Sequence, residues 1–180
     1  MGKILVHEFI SLDGVIEEPR WTAAYPFDPK MGEAIGAVVA SCEAILLGRN
    51  TFELFSKSWP GRTAEEDPGA PFFNESTKYV VSGTLENPAW ENSTVIGPYS
   101  AQQLQSLKAR VEGNLYVSGS GQLVRGMLAD GLVDELHLFV YPIALGGGLK
   151  LFKDGPEVKL ALAGSQAFES GVVHLAYTGA

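Results

Sequence analysis

The chain has 180 residues, 46% hydrophobic and 19% charged, the balance of a globular domain and far from the composition of disorder. At roughly 100–200 residues per domain, this length fits one domain over residues 1–180. With 13 Lys+Arg against 21 Asp+Glu the net charge is -8, the wrong sign for neutralising a phosphate backbone, so nucleic acid is not an expected partner.

Residues 4–12 form a β-branched and aromatic run closed by the turn pair Asp13-Gly14, which predicts a strand buried on both faces. His7 and Glu8 interrupt the run before a signal-peptide core could build up. No later stretch approaches the ~18 apolar residues of a membrane span, so a cytoplasmic protein without membrane contact is expected. From Pro29 onward, Met31, Ala34, Ile35, Val38, Val39 and Cys42 recur at helical spacing, and a short apolar strand over 44–47 follows. Cys42 is the single cysteine; it can form no internal disulfide, and at the end of an apolar helix face a buried, inert thiol is expected. Asn50 and Glu53 have capping-box spacing at the start of a helix over 51–56. Residues 59–71, with prolines at 60, 68 and 71, read as a loop, either a lid or a variable excursion.

Short strands are predicted at 78–82 and 94–96, a helix at 101–111 with Leu104, Leu107 and Val111 inward, and a strand at 115–118. Gly119-Ser120-Gly121 then turns the chain into a helix ended by Asp130-Gly131. A strand over 135–141 is broken by Pro142 and glycines 146–148, and 160–168 with 172–177 form a hairpin across Glu169-Ser170-Gly171. Strands alternating with helices, closed by a hairpin, predict an α/β fold whose mostly parallel sheet has an antiparallel edge.

Two strand-to-helix junctions share a design. Leu47-Gly48-Arg49-Asn50-Thr51 ends a strand with a glycine and a cation; Val117-Ser118-Gly119-Ser120-Gly121-Gln122 ends another with two glycines and a serine. Free N–H groups and the positive end of the helix dipole make such junctions anion sites, and glycine lets a phosphate come close to the backbone. Two in one sheet can hold the two phosphates of a dinucleotide, at the strand ends where open α/β sheets collect ligands. The same residues also serve as plain turn glycines and a helix cap, and the motifs taken singly leave both readings open. The second junction is not a G-x-G-x-x-G fingerprint, because glycine returns only at 126.

Taken in order, Ser11-Leu12-Asp13-Gly14-Val15-Ile16, Leu47-Gly48-Arg49-Asn50-Thr51-Phe52-Glu53, Lys78-Tyr79-Val80-Val81-Ser82 and Leu115 to Val124 resemble the dihydrofolate reductase-like family. The likeness is strongest to the branch related to the riboflavin-biosynthesis reductase (RibD C-terminal) domain, and 142–148 followed by Leu151-Phe152 is similar to that branch as well. The resemblance implies a three-layer fold with a mostly parallel central sheet flanked by helices, NADPH as cofactor, hydride transfer to a small planar heterocycle, and a homodimer. Gly48, Arg49 and Thr51 would then hold the pyrophosphate and adenosine side, Val81 and Ser82 the adenosine ribose and its phosphate. Gly119, Ser120, Gly121, Gln122, Leu123 and Val124 would cradle the pyrophosphate and nicotinamide ribose, with Asp13, Val15 and Ile16 in the loop closing on the nicotinamide.

Many relatives carry a basic residue where this chain has Gly83, which weakens the preference for NADPH over NADH and leaves Arg49 as the remaining candidate partner for a 2'-phosphate. Trp21, Phe55 and Trp59, with Tyr25 and Phe27, offer aromatic faces on which a planar substrate could stack, although some of these side chains serve as core anchors. No proton donor is evident: the nearest acids to the expected helix position are Asp28 and Glu33. A phosphoribosylamino-pyrimidine substrate would need a basic patch, for which Lys150 and Lys153 are scattered candidates. His7, His137 and His174 fall in separate predicted strands without metal-ligand spacing, so no metal site is expected. Two readings remain: a reductase, or an NADP(H)-binding module used for sensing or partner contact. The apolar run 136–145 is the expected dimer surface.

Overall fold

The computed structural model describes residues 2–153 and 155–179. Eight strands form one sheet in the order β4-β3-β2-β5-β1-β6-β8-β7. They are β1 (Ile4–Ser11), β2 (Cys42–Gly48), β3 (Thr77–Val81), β4 (Ser93–Gly97), β5 (Asn114–Ser118), β6 (Glu135–Tyr141), β7 (Leu160–Ala167) and β8 (Val173–Gly179). The first six run parallel, and β8 pairs antiparallel with both β6 and β7. Helices α1 (Pro29–Ala40), α2 (Arg49–Ser58), α3 (Ala70–Glu75), α4 (Ala101–Arg110) and α5 (Gly121–Ala129) flank it.

The two-residue period of β1 decides which helices cover which face. Ile4, Val6 and Ile10 join a buried cluster with Leu104 and Leu107 of α4 and Leu123, Val124 and Met127 of α5. Leu5 instead packs with Val38 of α1, Phe52 of α2 and Phe73 of α3. A strand apolar on both sides is thereby buried on both, as its composition predicts, and each such side chain contributes about 1.5–3 kcal/mol on burial. Met31 of α1 closes a third cluster over Phe139, Tyr141, Phe168 and Val172.

Several expectations are corrected. Cys42 opens β2 rather than ending α1; it is buried as expected, its thiol donates to the Val38 carbonyl, and burial pushes it up to about 11. Asn50 does not cap α2: the N-cap is Gly48, with no side-chain bond, because Arg49 engages Glu53 instead. The stretch read as loop contains the start of α3, and a 3-10 helix, Pro19–Ala24, precedes α1. Half of the run proposed as a dimer surface is interior, with Leu136, Leu138, Phe139 and Tyr141 buried, and its exposed residues lie at the end, within 142–145. Exposure falls also on the outer strand β7, where Leu162 is 60% exposed. Among the described residues no helix is long and apolar enough to cross a membrane.

Candidate functional site

Because β1 to β6 are parallel, their carboxyl ends share one edge of the sheet. The chain steps from β1 across to β2 and outward to β4, then returns to place β5 between β1 and β2. That reversal sets the β2–α2 and β5–α5 junctions side by side, at the kind of switch point where open α/β sheets bind ligands.

The junctions are bonded to each other. The Gly48 N–H donates to Ser120 Oγ at 3.0 Å, and the Ser120 N–H donates to Thr51 Oγ1 at 2.8 Å. Ser120 holds a left-handed conformation at φ 57°, and Gly119 beside it has φ 60°, with a Cβ position only 3.1 Å from the Thr51 side chain. Glycine is the residue that fits there. A Cβ on Gly121 would lie 2.6 Å from Cδ1 of Ile16, so α5 begins directly beneath the loop that follows β1.

Asp28 caps α1 and Ser100 caps α4, whereas α2, α5 and the six-residue α3 have no side-chain cap; of these three, α2 and α5 start side by side at the switch point. The N–H groups of Arg49, Asn50 and Thr51, and of Gly121, Gln122 and Leu123, therefore lack intrahelical partners. Not every expected contact is available: Gly119 donates to Glu8 Oε2 at 3.2 Å, Ser120 to Thr51, and Val124 to the Ser120 carbonyl. Leu123 and Val124 bury their side chains, leaving Leu123 only its backbone to offer.

Arg49 reaches from the start of α2 to the turn after β3. Its Nε donates to Glu53 Oε1 at 2.7 Å and its Nη1 to Thr84 Oγ1 at 2.6 Å. Two of five guanidinium protons are engaged, so three remain for a ligand. Ser82 Oγ accepts from the N–H groups of Thr84 and Leu85, which fixes that turn, and Val81 ends β3 half-buried.

The Asp13 loop is held from the other side. Asp13 accepts from Ser11 Oγ and the Leu145 and Gly146 N–H groups, which hold its carboxyl well below the usual carboxylate range. Glu17 accepts from the Leu149 N–H, Val15 bridges to Lys150, and Val15 and Ile16 are buried. Asp13 thus latches two loops together, and Ile16 is the residue of this segment that packs at α5.

The aromatic side chains do not converge on one pocket. Trp21 and Tyr25 pack edge-on against Tyr141, while Phe55 and Trp59 pack on Phe73, with Trp59 stacked at 3.9 Å. Phe27 is 66% exposed. Between the two groups lies His7, in contact with Phe9 on one side and Tyr116 on the other. His7 Nδ1 is 2.5 Å from the Tyr116 hydroxyl, its Nε2 has no partner among the described residues, and burial pulls the imidazole down to about 3. His137 and His174, on neighbouring strands, meet at 3.0 Å. The register that aligns them is tertiary, and Glu8 shows in the sequence only as a charge inside an apolar run. A cavity of about 250 Å³ borders Arg125, Leu151 and Lys153, and one of about 490 Å³ borders Phe27 and Lys30. Neither touches the junctions.

The RibD C-terminal domain family model matches residues 2–174. The chain belongs to that family. A RibD C-terminal domain of this length has relatives in Bacillus subtilis (strain 168): the uncharacterized proteins YyaP, 29% identical with 97% of this chain and 94% of that one aligned, and YwjB, 25% identical with 94% of each. Its fold is shared with a Shewanella sp. PV-4 protein provisionally named for riboflavin biosynthesis (TM-score 0.80, 22% identity, covering 100% of this chain and 99% of that one). It is shared too with a Thermotoga maritima diaminohydroxyphosphoribosylaminopyrimidine deaminase/5-amino-6-(5-phosphoribosylamino)uracil reductase (TM-score 0.66, 16% identity, covering 99% of this chain and 57% of that one). Membership of the RibD C-terminal family supports an oxidoreductase role.

Proposed function

We propose that the protein is a single-domain, cytoplasmic, NADPH-dependent reductase that transfers hydride to a small planar heterocycle, pterin-like or pyrimidine. 5-Amino-6-(5-phosphoribosylamino)uracil reductase-like activity is its most specific form. The observation that carries this reading is the pair of uncapped helix N-termini, α2 and α5, locked together through Ser120 at the switch point of the sheet. Their six free amides and the spare guanidinium protons of Arg49 suit an anionic dinucleotide, with the pyrophosphate at α5 and the 2'-phosphate at Arg49. NADPH, when bound, supplies the hydride. The chain's own task is to hold it at Arg49, Thr51 and Gly121 to Leu123, with Gly48, Gly119 and Ser120 fixing the two junctions, and to cover it with the Asp13 loop.

A second reading, a dinucleotide-binding module without turnover, draws support from the same edge: Asp13 is fully engaged, His7 is neutral, and Glu8 is enclosed. Titration with NADPH and NADH, followed by Trp fluorescence, tests both. Binding with oxidation across a panel of pterins and pyrimidines supports the reductase; binding without oxidation supports the module; no binding refutes both. The homodimer of this reading forms through β7, an eight-residue outer strand without a charged side chain. A monomer at micromolar concentration in sedimentation would remove it.

A further inference from the structure

The side chain least explained by the fold is Glu8. The register sets His7 beside Ser118, so Glu8 lies level with Gly119, the first residue of the β5–α5 junction. Alternation along β1 turns Glu8 to the face of Val6 and Ile10, into a layer formed by Val117 of β5, Leu138 of β6, Leu123 and Val124 of α5, and Ile16 and Leu151. Glu8 is 3% exposed. One oxygen accepts the Gly119 N–H; the other has no partner among the described residues. A buried polar atom without a partner costs about 1–3 kcal/mol, so an acid in such a place calls for an explanation.

We propose that Glu8 is a positioning residue of the dinucleotide site that works as the neutral acid, anchoring Gly119 while keeping negative charge out from under the amides of α5. The proposal rests on the dinucleotide reading above. A carboxylate in this layer would place a negative charge behind the same junction whose front receives phosphate, and like charges disfavour one another. As the neutral acid Glu8 still accepts from Gly119, and its unpartnered oxygen is far less costly to bury than one carrying charge. Burial supports the neutral form by raising its pKa well above the ordinary glutamate value. Tyr116, in the cluster on the opposite face of the sheet, is a titratable group that senses its charge; on its own face β6, α5 and the Ile16 loop contribute the apolar residues named above.

Dinucleotide binding and Glu8 protonation are therefore linked. Affinity falls by up to about tenfold per pH unit where the bound protein keeps the proton and the free protein loses it. The test is the Kd of NADH and NADPH between about pH 6 and 9 for the wild type, Glu8→Gln and Glu8→Ala. NADH is included because a phosphomonoester itself titrates near pH ~6. Wild-type affinity is expected to weaken as pH rises; Glu8→Gln, which mimics the neutral acid, should hold the low-pH affinity throughout, and Glu8→Ala should bind weakly at every pH. The infrared band of a protonated carboxyl at neutral pH, lost in Glu8→Gln, is a second readout independent of nucleotide. A flat wild-type profile, a Glu8→Gln profile that follows the wild type, or absence of that band overturns the proposal. Failure of the wild type to bind either nucleotide at any pH overturns the dinucleotide reading on which it stands.

Discussion

Replacing Ser120 by Ala removes the acceptor of the Gly48 N–H while leaving the backbone free to keep its path. That bond joins residues 72 apart in sequence and ties the end of β2 to the start of α5. Leaving a half-buried amide unpaired costs about 1–2 kcal/mol, and for a chain of this size that corresponds to a fall in Tm of about 2–8 °C. Ser120→Gly loses the same bond but relieves the left-handed backbone at φ 57°, by about 1 kcal/mol, so it should be the more stable of the two variants. Both should weaken NADPH binding about five- to tenfold, the effect of roughly 1–1.4 kcal/mol, because each helix N-terminus is then free to shift against the other. Thermal unfolding and fluorescence titration read the two effects separately. A Tm that falls with an unchanged Kd would restrict the tether to the fold; unchanged values for both would refute the role assigned to Ser120. Equal stability of the Ala and Gly variants would refute the strain attributed to its conformation.

Gly121→Val drives a side chain into Ile16, whose Cδ1 lies 2.6 Å from the Cβ position. It should abolish dinucleotide binding while costing only about 1–3 kcal/mol of stability, and normal binding would show that α5 does not meet phosphate. Glu53→Gln frees the Arg49 guanidinium from its 2.7 Å partner. NADPH should then bind several-fold tighter while NADH is unchanged, with the difference shrinking as salt is added; equal gains for both would refute a 2'-phosphate at Arg49. Lys78, enclosed and donating to the Asn74, Ser76 and Glu91 carbonyls, is lowered by burial from 10.5 to about 8. Across that window the unfolded chain binds the extra proton, so wild-type stability should rise with pH from about 8 to 10.5 in urea titrations. Lys78→Met should lack that rise.

The succession of strands and helices along the chain was legible because it rests on local periodicity: β1 reads as buried on both faces, and α1 and α5 carry their apolar residues at helical spacing. Short elements escaped for the same reason. The 3-10 helix Pro19–Ala24 and α3 span six residues each, too few for a period to show, and both carry a proline at the start. The glycines of both junctions were visible as candidate anion sites, but not the partnership of Ser120 with Gly48 and Thr51, which depends on β5 entering between β1 and β2. Asn50 and Glu53 had the spacing of a capping box, yet the neighbouring Arg49 claims Glu53 at four residues' distance, where a helix brings side chains together. Trp21 and Phe55 looked like one aromatic set in sequence. The sheet distributes them to opposite ends of a band centred on His7 and Tyr116, and the His137–His174 contact likewise waits on the pairing of β6 with β8.

The late entry of β5 also bears on how the protein comes to exist. Until residues 114–129 have been synthesised, β1 and β2 have no strand to share, and neither half of the Ser120 tether is in place. The binding edge and the folded state therefore arise in the same event, and a chain cut short of β5 would have neither. A ligand of that edge recognises the finished fold alone and holds it there: at a hundredfold excess over Kd it adds about 2.7 kcal/mol to stability. For such a protein the supply of nucleotide in its surroundings would govern how much of it survives, independently of any reaction it performs.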